Sequence, residues 1–170
     1  QMHIHNLEGA IVAKKLGFKR IVLAREINLE TIKKIKEETG LDIEVFVHGS
    51  LCVSYSGQCL FSSLVGGRSG NRGSCAGSCR LPYDILSKDN EVLNKDKKYP
   101  LSMKDLCAIS SIGNLIDIGV NSFKIEGRMK SREYVYLVTK LYRDAIDSYL
   151  KTGKVFINYD ILGKLKKVFN

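Results

Sequence analysis

The 170-residue sequence contains no run approaching the ~18–20 apolar residues that cross a bilayer. No basic-then-apolar leader opens it. Low-complexity tracts are missing as well. The expectation is a soluble, cytoplasmic protein with no membrane partner. The opening QMHIHNLEGA starts in mid-pattern, with Gln1 where an initiator methionine would stand, so the chain reads as a piece of something longer. Acidic side chains are the scarcer charge: 18 Asp and Glu face 27 Lys and Arg, a formal charge of +9. That excess permits a polyanionic partner such as RNA. It equally describes a solvated basic surface.

Several catalytic signatures are also lacking. No HExxH occurs, and nothing local resembles a nucleophile elbow or a serine or cysteine triad. Peptide hydrolysis therefore has no motif here to carry it. A non-catalytic RNA-binding module would account for the charge but leaves the cysteines unexplained.

What the chain does have is a concentration of thiols. Four of its five cysteines fall in HGSLCVSYSGQCLFSSLVGGRSGNRGSCAGSCR, residues 48–80. Six residues separate Cys52 from Cys59, fifteen more lead to Cys75 and three to Cys79, with Cys107 far downstream. An odd count without a secretory leader disfavours a disulfide scaffold. Zinc fingers and ribbons use two tight pairs, and only Cys75 and Cys79 come near that spacing. The close ferredoxin run is absent too, but an iron–sulfur cluster accepts scattered thiolates that the fold gathers. Glycine-freed N–H groups can bond to the sulfurs, and arginines offset the cluster's charge. A catalytic thiol also stays open, because His48 lies four residues before Cys52 and Arg68, Arg72 and Arg80 supply cations.

A unit of helix, glycine stop and short β-rich run recurs three times. The first has Asn6 as N-cap, Gly17 as stop and the strand RIVLA; the second has Asn28, Gly40 and IEVFVH. The third places Gly119 before SFKIE. The alternation predicts an α/β fold of parallel β/α units with right-handed crossovers. Chemistry in such folds gathers at the C-terminal ends of the strands. Those ends carry Arg25 and Glu26, then His48, then Lys124, Glu126 and Arg128. Arg128 and Lys124 are candidates to bind a carboxylate or phosphate. Glu126 or His48 is the candidate proton carrier. The alternative is that Lys124 and Glu126 pair with each other or with neighbours.

The link after His48, residues 49–101, is a long cysteine-rich loop followed by a hairpin-like excursion with a KDN turn, and a loop of that length is usually functional. After it, REYVYLVTKLYRDAIDSYLKTG predicts the longest helix, stopped by Gly153. Its stripe of Tyr134, Leu137, Val138, Leu141 and Ile146 belongs to the core. ILGKLKKVFN predicts a short terminal helix.

The blocks QMHIHN, GFKRIVLAREI, LDIEVFVHGSLCVSYSGQCLFSSLVGGRSGNRGSCAGSCRLPY, LSMKDLCAI and FKIEGRMKSREYV together resemble the U32 peptidase, or collagenase-like, family. The resemblance spans essentially the whole chain. It implies a longer protein with a TIM-barrel-like domain, of which this chain would hold a partial barrel, its later strands. The missing N-terminal part of that barrel, or a homo-oligomeric partner, would complete it. The family is named for protease activity without settled catalytic residues. Its better characterised members imply oxygen-independent hydroxylation, of tRNA to 5-hydroxyuridine, of ribosomal RNA to 5-hydroxycytidine, or of ubiquinone precursors. The RNA branch implies prephenate as hydroxyl donor, and the hydroxylating members imply a 4Fe-4S cluster. Position by position, the implied ligands are Cys52, Cys59, Cys75 and Cys107, with Cys79 as the alternative. The spacing before Cys107 resembles the RNA-modifying branch more than the quinone branch.

Overall fold

In the computed structural model, residues 2–56, 58–127 and 130–168 are described. The chain divides into two compact units: Ile4–Ser50 with Asp105–Asn170, and Gln1–His3 with Leu51–Lys104.

The first unit is built from the β/α repeat. Helix α1 (Leu7–Lys15) starts where the Asn6 side chain accepts the Gly9 N–H at 2.9 Å, and α2 (Leu29–Thr39) where Asn28 accepts the Thr31 N–H at 2.8 Å. Each such cap contributes about 1 kcal/mol. Between them runs β1 (Arg20–Val22), and after α2 the central strand β2 (Asp42–Gly49). The first unit resumes with β3 (Leu106–Cys107), α4 (Ile112–Asp117), β4 (Ser122–Ile125), α5 (Arg132–Thr152) and α6 (Tyr159–Val168). The helices preceding these strands close at Gly17, Gly40 and Gly119, and α5 closes at Gly153, all at positive φ.

Strand β2 pairs in parallel with β1 on one side and β4 on the other, while β3 joins its end antiparallel. Parallel α/β architecture is therefore what the described residues form, in an open sheet. Alternation along β2 explains its two faces. Ile43, Val45 and Val47 enter the apolar cluster with Ile21, Ile35, Ile112, Val138 and Leu141. Glu44 and Phe46 stand on the other face. Helix α5 contributes Tyr134, Val138, Leu141, Tyr142 and Ala145 to the core, and Leu137 and Ile146 pack at its margin.

Three details differ from the periodicity reading. The first strand is only Arg20–Val22, continued by a single bridge from Leu23 to Ile4. Strand β3 is two residues long, too short to show a period. A bulge interrupts β2 between Phe46 and His48, so Phe46 faces Lys124 while His48 faces Ile125. One extra residue turns the side chains that follow it to the opposite face.

The described residues of the second unit include the short helix α3 (Phe61–Gly66) and 3₁₀ turns at Gly70–Arg72 and Ser78–Arg80. Its hairpin pairs Leu86 with Val92 through the expected Lys88–Asp89–Asn90 turn, with Asn90 left-handed. Asn94 staples the hairpin by donating to the Tyr83 and Lys97 carbonyls and accepting the Ile85 N–H. Among its described residues, none of the apolar side chains between Leu51 and Lys104 is buried; the buried ones are Ser56 and Ser62.

Candidate functional site

The cysteine unit collects Cys52, Cys59, Cys75 and Cys79, all unbridged. Cys75 Sγ accepts the Gly77 N–H at 3.3 Å, and Ser62 Oγ accepts the Ala76 N–H at 2.8 Å, which fixes α3 to the segment that follows the thiol. Gly70 lies against the same residue: a Cβ there would stand 3.6 Å from Cys75 Cβ. Arg80, next to Cys79, donates to the Leu51 carbonyl at 2.6 Å, to Ser102 Oγ at 2.7 Å and to the Met103 carbonyl. One guanidinium thereby ties the entry and exit of the unit together. Burial raises the pKa of Cys79. Arg80 opposes that shift, and the neighbouring Cys52, Cys75 and Cys59 reinforce it.

Among the described residues, no three His, Cys, Asp or Glu side chains already stand together as a metal site. In donor chemistry the set suits a soft-metal or iron–sulfur centre. Among its described residues, the unit with four thiols has no buried apolar side chain to form a core of its own. Small scaffolds with so little core draw their stability from elsewhere: disulfides, a structural metal or association with a partner.

The strand ends of the α/β unit carry a second constellation. Arg25 pairs with Glu126 at 3.7 Å and lies 3.9 Å over the Phe46 ring. Lys124 pairs with Glu44 at 3.4 Å and approaches the same ring at 5.0 Å. Glu44 also accepts the Ser122 hydroxyl at 3.0 Å. Lys124 and Glu126 thus engage neighbours rather than each other. Arg128 lies outside the described residues.

The bulge puts His48 into the helix layer, buried between the Tyr134 and Tyr142 rings. The Tyr142 hydroxyl donates to the Val47 carbonyl at 2.7 Å and accepts the Ala108 N–H at 3.1 Å. Its single proton is spent on Val47, so the 3.2 Å contact to His48 Nδ1 makes that nitrogen the donor and leaves Nε2 as the acceptor. Burial, then the charge of Lys130, lowers the His48 pKa to about 4. The imidazole is neutral at pH 7. Burial, then Asp105, Cys107 and Glu126, raises Tyr134 to about 12. Burial foremost also raises Tyr142, with Cys107 adding to it. Lys130 pairs with Asp105 at 3.9 Å and lies 5.2 Å over the Tyr134 ring.

Cys107, on β3, is exposed and directly opposite His48 in the ladder. The sequence reading missed Tyr142, Asp105 and Lys130 as site members. A tyrosine inside an apolar stripe was the one available signal, since a buried hydroxyl requires partners. Nothing in the spacing marks Asp105 or Lys130.

The family model described as Peptidase family U32 matches residues 1–170. The chain is 46% identical over 151 residues to the "23S rRNA 5-hydroxycytidine C2501 synthase" of Escherichia coli, covering 89% of this chain and 23% of that protein. It is 40% identical over 162 residues to the "tRNA hydroxylation protein P1" of Bacillus subtilis, covering 92% and 38%. It is likewise 40% identical over 161 residues to a "Collagenase" of Porphyromonas gingivalis, covering 88% and 39%. The chain therefore spans well under half the length of these relatives. No solved structure gives a significant match.

Proposed function

Since the chain belongs to peptidase family U32, we propose that it is part of an iron–sulfur-dependent, oxygen-independent hydroxylase acting on an RNA pyrimidine, of the tRNA 5-hydroxyuridine type. The observation that carries this reading is the cysteine unit, with four thiols and no buried apolar side chain of its own among the described residues. Two relatives with 40–46% identity bear the names of RNA-hydroxylating proteins. The proposed ligands of a 4Fe-4S cluster are Cys52, Cys59, Cys75 and Cys107, with Cys79 as the alternative fourth. The cluster would supply one-electron chemistry, and prephenate the hydroxyl group.

For the chain's own residues the proposed roles are as follows. His48 Nε2 is a neutral proton acceptor shielded from solvent, with its ring orientation set by Tyr142. Lys124 and Arg128 attract an anionic group, and Glu126 holds Arg25 in place. The open edges of the sheet at β1 and β4 are where a TIM-type barrel would continue, from the longer protein or from a second copy. An RNA substrate would put the work in the cytoplasm, and among the described residues no helix is long and apolar enough to cross a membrane.

Anaerobic reconstitution with iron and sulfide tests the cluster. The expectation is a brown protein with about four irons per chain, as a 4Fe-4S centre requires, and loss of colour in Cys52→Ala, Cys59→Ala and Cys75→Ala. Comparing Cys107→Ala with Cys79→Ala identifies the fourth ligand. A colourless, iron-free protein from such a preparation overturns the reading. Nucleoside analysis of tRNA from a deletion strain tests the substrate, and undiminished 5-hydroxyuridine derivatives refute it.

The "Collagenase" name of one relative, together with Cys107 opposite His48, supports a second reading as a thiol peptidase. Iron-independent peptide hydrolysis abolished by Cys107→Ala would favour it.

A further inference from the structure

Helix α3 is turned outward in a way that its own unit does not require. Its inner side is committed: Ser62 is buried and bonded to Ala76, and the Phe61 ring lies 6.1 Å from the Tyr83 ring. Its outer side exposes Leu60, Leu64 and Val65, which are 60%, 81% and 70% accessible. Leu60 and Leu64 are four residues apart and so project along one line. Gly67 closes the helix, and the next turn carries Arg68 and Arg72, both exposed. The Arg68 Nε donates to the Ser74 carbonyl, which fixes that turn beside the apolar tip.

Along the segment that carries the tip, the charge has one sign, up to Asp84. From Leu51 to Tyr83 the chain carries Arg68, Arg72 and Arg80 and no acidic residue. A run of arginines with no acidic residue among them suits a polyanion. Apolar side chains followed closely by cations fit a nucleic acid whose bases are unstacked, because every base offers an apolar face and every linkage a phosphate. The tip is also tied to Cys75, through the bond between Ser62 and the residue after it.

We propose that Leu60, Leu64 and Val65 with Arg68 and Arg72 form an RNA-contact wedge. Its apolar tip supports an unstacked base in a single-stranded loop, and its arginines hold the flanking phosphates. This rests on the RNA reading above and adds to it which surface meets the RNA and in which form. An enzyme that modifies a pyrimidine ring must take the base out of its stack, and a wedge on the thiol-bearing unit would hold the loop open there.

The test is fluorescence anisotropy of the full chain with a labelled tRNA anticodon stem-loop, against a fully paired RNA of equal length, over a salt series. Wild type is expected to prefer the stem-loop. The double variant L64S/V65S should bind the loop about tenfold more weakly, the scale of one lost stacking contact, with an unchanged salt slope. Leu64→Phe, which keeps an apolar face, should retain affinity. Arg72→Gln should weaken loop and duplex alike and reduce the log–log salt slope by about 0.7. Three outcomes overturn the proposal: no binding by wild type, equal loop affinity in L64S/V65S, or a wild-type dimer that L64S/V65S converts to a monomer. If the loop is bound as expected while the tRNA of a deletion strain keeps its 5-hydroxyuridine, the wedge stands and the hydroxylase reading fails. If hydroxylation is lost in the deletion strain but L64S/V65S binds normally, the hydroxylase reading stands and the wedge falls.

Discussion

Gly49 closes β2 at φ +109°, and a Cβ built on it would stand 2.2 Å from the Glu126 carbonyl oxygen and 2.9 Å from Glu126 Cβ. Optimal heavy-atom contacts lie near 3.5–4.0 Å, so Gly49→Ala must displace backbone by more than about 1 Å. The backbone in question is held by the Glu126 N–H, which donates to the His48 carbonyl at 2.8 Å. Three costs combine. A non-glycine residue at that φ is strained by about 1–3 kcal/mol, overpacking adds about 1–3, and the weakened hydrogen bond about 1. A loss of about 4 kcal/mol follows, or roughly 8–16 °C in Tm for a chain of this size. Gly40→Ala is the control, because Gly40 also has a positive φ but no atom within 4 Å of the added Cβ. It should cost only about 1–2 kcal/mol. Thermal melts by circular dichroism and urea midpoints at constant m-value measure both variants. If Gly49→Ala melts within ~2 °C of Gly40→Ala, the close approach of β2 to Glu126 is refuted.

Other perturbations probe the His48 and thiol surroundings. His48 titrates at about 4 in the folded chain and near its ordinary 6.5 when unfolded, so the unfolded state binds the extra proton between those values. Stability should therefore fall as pH drops from about 6.5 to 4, by ~3 kcal/mol. His48→Asn should flatten that slope in urea titrations, and identical slopes would remove the assignment. Tyr142→Phe strips the hydroxyl from His48 Nδ1 but leaves Ala108 N–H its second acceptor, the Val47 carbonyl at 2.9 Å. It should cost about 1–3 kcal/mol, and a neutral effect on the urea midpoint would contradict the hydrogen bond between His48 and Tyr142. In metal-free protein, iodoacetamide followed by mass mapping should label exposed Cys75 and Cys107 before Cys79, whose thiol burial keeps protonated. Early labelling of Cys79 would refute its burial.

The parts of the fold that the sequence displays are those governed by local chemistry. Asn6 and Asn28 announce their helices because an amide oxygen one residue before an amphipathic run has free N–H groups to satisfy. Gly40 and Gly153 end theirs for a similarly local reason. Strand β3 could not be seen, since two residues have no period, and neither could α3 in a stretch rich in Ser and Gly. His48 is legible as a strand-end residue, but its direction depends on a bulge that exists only in the pairing of β2 with β4. The partners of Lys124 and Glu126 are likewise decided by register across strands. Arg25 and Glu44 lie far from them in sequence.

The ladder that sets His48 against Cys107 and Gly49 against Leu106 has a consequence for how this chain tolerates change. The whole stretch from Leu51 to Lys104 leaves along one strand and returns along its immediate neighbour, so the β2–β3 ladder holds its two ends side by side. Doubling the length between such ends adds only about 0.6 kcal/mol of closure entropy. In closure entropy alone, the excursion can therefore lengthen at little cost to the pairing of β2 with β3.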